Sequence, residues 1–134
     1  MTKSSSTATG SERDRDAARY RWVTVLLYMG VIFILSSLSV PDGVKVPGLD
    51  KLVHVAAYWV MGFLCVRAIG YGGGRPVGRV VLAGFVLSVS FGALVELWQG
   101  FLPGRHLSPF DAAANGVGGF LGARMHKRLS GPGN

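Results

Sequence analysis

Cysteine occurs once, at Cys65, so no intrachain disulfide can staple the fold, and the count says nothing about redox compartment. Charge is scarce: only 16% of the 134 residues are Asp, Glu, Lys or Arg, and 7 of them are acidic. With 49% hydrophobic residues and a mean hydropathy of +0.38, the chain has too little polar surface for a soluble domain of its size. No period of roughly 20–50 residues repeats, and no serine or cysteine stands in a recognisable nucleophile motif. The glycine run Gly72–Gly74 lacks the lysine and helix start of a phosphate-binding loop and reads as a turn. A disulfide scaffold, a repeat array and a P-loop nucleotide binder are thereby excluded.

Four apolar segments are present, at residues 22–40, 52–69, 80–102 and 109–125. A transmembrane helix needs about 20 mainly apolar residues at 1.5 Å each to cross about 30 Å of hydrocarbon. Residues 22–40 supply this without a single charge, whereas residues 109–125 form the shortest segment and are rich in glycine. The expected fold is all-α, an integral membrane bundle of four transmembrane helices. A basic front and small residues near Ser37–Ser39 imitate a secretory signal, but the apolar stretch is too long for one and lacks an Ala-x-Ala-like site. It reads as an uncleaved first span.

Eleven of the 14 basic residues lie before the first segment, around the middle loop or after the fourth: Lys3, Arg13, Arg15, Arg19, Arg21, Arg67, Arg75, Arg79, Arg124, Lys127 and Arg128. Only Lys45, Lys51 and Arg105 lie on the other side. Basic residues of short loops stay cytoplasmic, so both termini are expected inside. The net charge of +7 then describes a cytoplasmic face set against anionic lipid headgroups, and no nucleic-acid partner is called for. Residues 1–18, rich in Ser, Thr, Asp and Arg without an apolar period, are expected to be a disordered cytoplasmic tail. Residues 19–128 form the four-span domain, and residues 129–134 a short second tail.

Alternate crossing would bring the unusual polar residues to the outer face. In the second segment Asp50, His54 and Tyr58 recur every four residues and share a helical stripe, His54 about 6 Å and Tyr58 about 12 Å deeper than Asp50; Lys51 stands beside them. The bland alternative is that Tyr58 and Trp59 are interfacial aromatics and His54 bonds a neighbouring helix. In the third segment Ser88, Gly92, Glu96 and Gln99 form one stripe, with Trp98 on another face as an interfacial anchor. An ionised carboxylate inside a span costs about 2.5–3.5 kcal/mol on insertion scales, which marks Glu96 as functional or as half of an ion pair with His54, Lys51 or Arg105. The fourth segment opens on Ser108-Pro-Phe-Asp111, a serine cap followed by a first-turn proline and an acid three residues on. Capping accounts for Asp111 but not for Asn115, one turn deeper. Arg105, in the loop before, can grip a carboxylate or phosphate with its planar fork.

These motifs, Asp50-Lys-Leu-Val-His54 with Tyr58, Glu96-Leu-Trp-Gln99, Pro103-Gly-Arg105, and Ser108-Pro-Phe-Asp111 with Asn115 and Gly116, resemble those of the VanZ-like integral membrane proteins. The resemblance covers about residues 49–123; residues 22–40 fit only as a generic first span. It implies a multi-pass protein of a bacterial cytoplasmic membrane, in a family named for a protein that lowers susceptibility to the lipoglycopeptide teicoplanin, and it assigns no reaction.

Two functional classes follow. The first is an outward-facing pocket that binds or acts on a lipid-linked or cell-envelope ligand. Glu96, His54 and Asp111 are its candidate acid–base residues, and Asp50, Lys51, Tyr58, Gln99, Arg105, Ser108 and Asn115 its candidate ligand contacts. Burial can bring a carboxyl group toward neutrality beside an imidazole. Expected partners are membrane lipids, with a lipid-linked envelope precursor or a lipoglycopeptide as the further candidates. The second is a scaffold whose polar cluster is a structural latch between helices, needing no turnover. Neither calls for a cofactor. The possible metal ligands His54, Glu96, His106 and Asp111 lack a dedicated spacing such as His-Glu-x-x-His, so no metal site is read from the sequence.

Overall fold

The computed structural model describes residues 5–38, 48–103 and 107–129, and all regular structure among them is helical: α1 (Ser5–Ser37), α2 (Leu49–Ile69), α3 (Val77–Gly100) and α4 (Pro109–Leu129). Among the described residues three stretches, Gly10–Ser37, Leu49–Ile69 and Val77–Gly100, are long and apolar enough to cross a membrane. Helix α4 has the length, 21 residues, without the same apolarity. Leucine, isoleucine and phenylalanine side chains stand exposed along the helices, among them Leu26, Leu27, Ile34, Leu35, Leu82 and Leu94. Apolar surface of that extent needs hydrocarbon around it rather than water, so the chain is a helical membrane protein.

Residues 5–18 are helical rather than a disordered tail. They continue α1, whose 33 residues reach about 50 Å at 1.5 Å each. Ala8, Ala17, Ala18, Arg13, Arg15 and Glu12 are good helix formers, and a span that is already helical removes the nucleation step that opposes isolated helices. Side-chain contacts tie the extension to the bundle end. The Tyr71 hydroxyl donates to Asp14 Oδ1 at 3.3 Å, Arg21 lies 4.2 Å from the Tyr71 ring centre, and Arg21 Nη1 donates to the Arg67 carbonyl.

Helix α1 rests on α2 and α3 and does not meet α4 among the described residues. Val25 and Ile32 pack with Tyr58, Met61, Cys65 and Ala68 of α2, and the Tyr28 hydroxyl donates to the Ala57 carbonyl. Cys65 is fully buried, a small apolar core residue as its surroundings in the sequence imply. Between α2 and α3, Gly72, Gly73 and Gly74 all adopt positive φ (92°, 69° and 75°), which L side chains rarely tolerate, so the tight turn needs glycine.

The closest approach in the bundle is α2 on α4. A Cβ placed on Gly118 would strike the Val55 carbonyl, one on Gly122 the Trp59 carbonyl, and one on Gly62 the Gly119 carbonyl. Small residues on one face of α4, Ala114, Gly118, Gly122 and Ala123, let the two backbones nearly touch. On α3 the buried stripe runs Val80, Gly84, Ser88, Gly92, Glu96 and Gln99, so the stripe legible in the sequence is the face turned into the bundle.

Candidate functional site

Helix order sets the site. The C-terminal ends of α1 and α3 and the N-terminal ends of α2 and α4 share one end of the bundle, where Ser36, Glu96, Gln99, His54, Ser108 and Asn115 meet. The other end gathers Asp14, Arg21, Arg67 and Tyr71. The polar motifs and most described basic residues therefore occupy opposite ends, as charge counting implies.

Depth is graded along α2. Asp50 and Lys51 lie exposed at the rim, with Lys51 Nζ 2.9 Å from Asp50 Oδ2 and 3.4 Å from Asp111 Oδ1 of α4. One turn in, half-buried His54 places Nδ1 2.9 Å from Asn115 Oδ1. An amide oxygen only accepts, so the proton shared in this contact belongs to Nδ1. Tyr58 follows at 1% exposure, its ring against Gly92, where a Cβ would come within 2.9 Å of it. Glycine at residue 92 thus makes room for the phenol beside Asn115.

Glu96 is 3% exposed, and its Oε2 accepts the backbone N–H of Ser108 at 3.5 Å, a bond from the residue that starts α4. Ser108 Oγ in turn accepts the N–H of Asp111 at 3.2 Å, the capping bond expected from Ser108-Pro-Phe-Asp111. The cap turns α4 inward directly above Glu96. Gln99, expected among the ligand contacts, donates Nε2 to the Ser36 carbonyl at 3.0 Å and ties α3 to α1. Trp98, expected as an interfacial anchor, does similar work: its indole N–H donates to Ser37 Oγ and its ring lies 5.5 Å from that of Phe33. Sequence reasoning missed both ties, because a backbone carbonyl near the end of α1 leaves no compositional trace.

The three candidate acid–base residues converge. His54, Glu96 and Asp111, one each from α2, α3 and α4, offer ligand atoms that all lie within 4.8 Å of one another. Local spacing could not reveal this donor set, since each member sits on a different helix. Close to it the Tyr58 hydroxyl and the Asn115 Nδ2 are buried with no hydrogen-bond partner among the described residues; the Ser88 hydroxyl, two turns away along α3, is likewise unsatisfied. Buried polar atoms are normally satisfied by protein or water, so Tyr58 and Asn115 carry unused hydrogen-bonding capacity beside the donor set. Arg105 and His106, also singled out in the sequence, lie outside the described residues. A scan of protein-family models and searches of curated proteins and of solved structures returned no match to this chain.

Proposed function

We propose that this is a VanZ-like polytopic protein of a bacterial cytoplasmic membrane, with four spans, both termini cytoplasmic, and an outward-facing polar pocket that binds or acts on a lipid-linked or cell-envelope ligand. The observation that carries the reading is the convergence of His54, Glu96 and Asp111 from three helices next to buried, unsatisfied polar atoms. The family assignment rests on the ordered motifs between Asp50 and Gly116, and a link to teicoplanin susceptibility rests on that assignment alone.

A fourth crossing by α4 is supported by its outer surface. Pro109, Phe110, Ala112, Ala113, Val117, Phe120 and Leu121 are the exposed residues of its first thirteen, and none is polar. Its modest hydropathy comes from Asn115 and the glycines turned toward α2 and α3, and from the basic residues at its end. Lipid would meet only the apolar side.

The latch reading has an observation of its own. The His54–Asn115, Lys51–Asp111 and Gln99–Ser36 contacts each join two helices, and the two part-buried hydrogen bonds among them, His54–Asn115 and Gln99–Ser36, are of a kind that contributes about 1 kcal/mol apiece in membranes. Cells expressing Glu96→Gln, His54→Ala, Arg105→Lys or Asn115→Ala separate the two. A pocket acting as a unit predicts loss of the envelope phenotype, teicoplanin tolerance included, with normal amounts of inserted protein and with double variants scarcely worse than singles. Disappearance of the variants from the membrane would establish the latch. Lipid and precursor profiles of cells with and without the protein decide turnover, since a product absent both without the protein and in Glu96→Gln would make it an enzyme.

A further inference from the structure

We infer that His54, Glu96 and Asp111 form a binding site for a divalent transition-metal cation of the zinc or manganese type. This deepens the pocket reading and rests on it for location, though not for its test. The donor set is one imidazole nitrogen and two carboxylate oxygens, and borderline divalent cations favour that mixture over the all-oxygen shells of magnesium and calcium. Donors on one such ion sit about 2.0–2.2 Å from it, so two of them stand about 3.4 Å apart in a tetrahedron and at most about 4.3 Å apart across it. The three atoms here lie within 4.8 Å. A carboxylate turning about its terminal torsion, which is broad, sweeps an oxygen through about 2 Å and closes the difference without backbone motion.

The surroundings are those of a ligand shell. Metal-bound histidine ordinarily donates its other ring N–H to an oxygen that fixes tautomer and orientation. His54 is set up for this: its Nδ1 lies 2.9 Å from Asn115 Oδ1, Asn115 is itself only 2% exposed, and in the tautomer that donates there Nε2 would be the nitrogen offered to the cation. Glu96 is held from the other side by the Ser108 N–H. Two ionised carboxylates balance a divalent charge. Lys51 is the nearest described competitor, 3.4 Å from Asp111 Oδ1, but it lies closer to Asp50, at 2.9 Å, and keeps that partner when Asp111 turns inward. Three protein ligands leave coordination positions open, as catalytic and substrate-binding sites do and closed structural sites do not. Toward the pocket those positions could take water or a phosphate oxygen of a lipid headgroup, and the unsatisfied Tyr58 hydroxyl and Asn115 Nδ2 lie beside them.

The test is zinc titration of the untagged, chelator-stripped full chain in detergent micelles, followed calorimetrically, with Co²⁺ substituted for absorption spectra. The expected result is one equivalent bound. His54→Ala, Glu96→Gln and Asp111→Asn each weaken it at least about 100-fold, and Asn115→Ala, acting through the histidine, weakens it about 10- to 100-fold. Asp14→Asn, at the opposite end of the bundle, leaves affinity unchanged, and Lys51→Met tightens it by removing the competing ammonium. Should Glu96→Gln not fold, Asp111→Asn at the start of α4 and the cobalt spectrum of wild-type protein, which distinguishes nitrogen-containing low-coordinate sites from hexa-aqua ions, carry the test. No uptake at excess zinc, or uptake indifferent to all three substitutions, overturns the inference. Loss of the cellular phenotype in variants of a protein that binds no metal would refute the metal site alone; zinc uptake without any envelope phenotype would refute the pocket's proposed role and leave the metal site standing.

Discussion

Alanine at residue 122 has no room to enter. Its Cβ would collide with the Trp59 carbonyl oxygen while standing 2.7 Å from the carbonyl carbon and 3.0 Å from the Phe63 nitrogen, all backbone atoms of α2. Ordinary contacts lie at about 3.5–4.0 Å, so α2 and α4 must part by about 1 Å, and a gap of that size forfeits a quarter to a half of each dispersion contact along the seam. Overpacking of this kind costs about 1–3 kcal/mol, and the upper end applies because no side chain can rotate away. Gly116 is the internal control. It lies on the same helix with nothing within 4 Å of its Cβ position, so Gly116→Ala should gain about 0.5–1 kcal/mol from helix propensity. Gly119→Ala should fall between, because it meets the Ser88 hydroxyl at 2.8 Å, and a hydroxyl can turn. At about 4 °C per kcal/mol for a chain of this size, Gly122→Ala should melt about 8–12 °C below wild type in detergent, and Gly116→Ala slightly above it. Equal melting temperatures for Gly122→Ala and Gly116→Ala would refute the close α2–α4 seam.

Orientation can be read by thiol labelling of intact cells, since the one native cysteine, Cys65, is buried. A cysteine at Leu107 should react with an impermeant reagent from outside and one at Arg75 only after lysis; the reverse pattern would invert the topology. At the opposite end of the bundle, His126 is held below the usual histidine pKa by burial and by the charges of Arg21 and Arg67. The unfolded chain then binds the proton more readily, so stability should fall as pH drops from about 7 through the unfolded value near 6.5 and level off below the folded one. His126→Phe, which keeps a ring against Phe63, should flatten that part of the melting-temperature profile; an unchanged slope would show that other groups cause it.

Much of the bundle was legible because lipid imposes simple rules. Length and apolarity were enough to mark out four helical segments, of which three are long and apolar enough to cross a membrane, and the four-residue recurrence of Asp50, His54 and Tyr58 put them on one stripe of α2, which runs from exposed at Asp50 to buried at Tyr58. The cap at Ser108 was readable too, since its chemistry is local. Two features escaped. Residues 5–18 look polar and aperiodic, yet helix propensity and attachment to a span suffice to extend α1 through them, and only the Tyr71 contacts reveal where that extension is held. The fates of Gln99 and Trp98 depend on which helix end lies beside them, a tertiary fact with no counterpart in spacing.

Packing and chemistry in this protein are linked through α4. Asn115, which orients His54, lies on the same inward side of the helix as Gly118, Gly119 and Gly122, which let α4 approach α2. A hydrogen bond of 2.9 Å tolerates only a few tenths of an ångström before it weakens, far less than the separation a methyl group would impose two turns away. The glycines are therefore as much part of the site as the polar residues, because without them His54 and Asp111, carried on different helices, could not be brought together with Glu96. Gly122→Ala in folded protein should accordingly weaken zinc binding although residue 122 is about 10 Å along the helix from Asn115. Unchanged affinity in a variant with a lowered melting temperature would show that the two ends of the seam move independently, and would confine the glycines to a structural part.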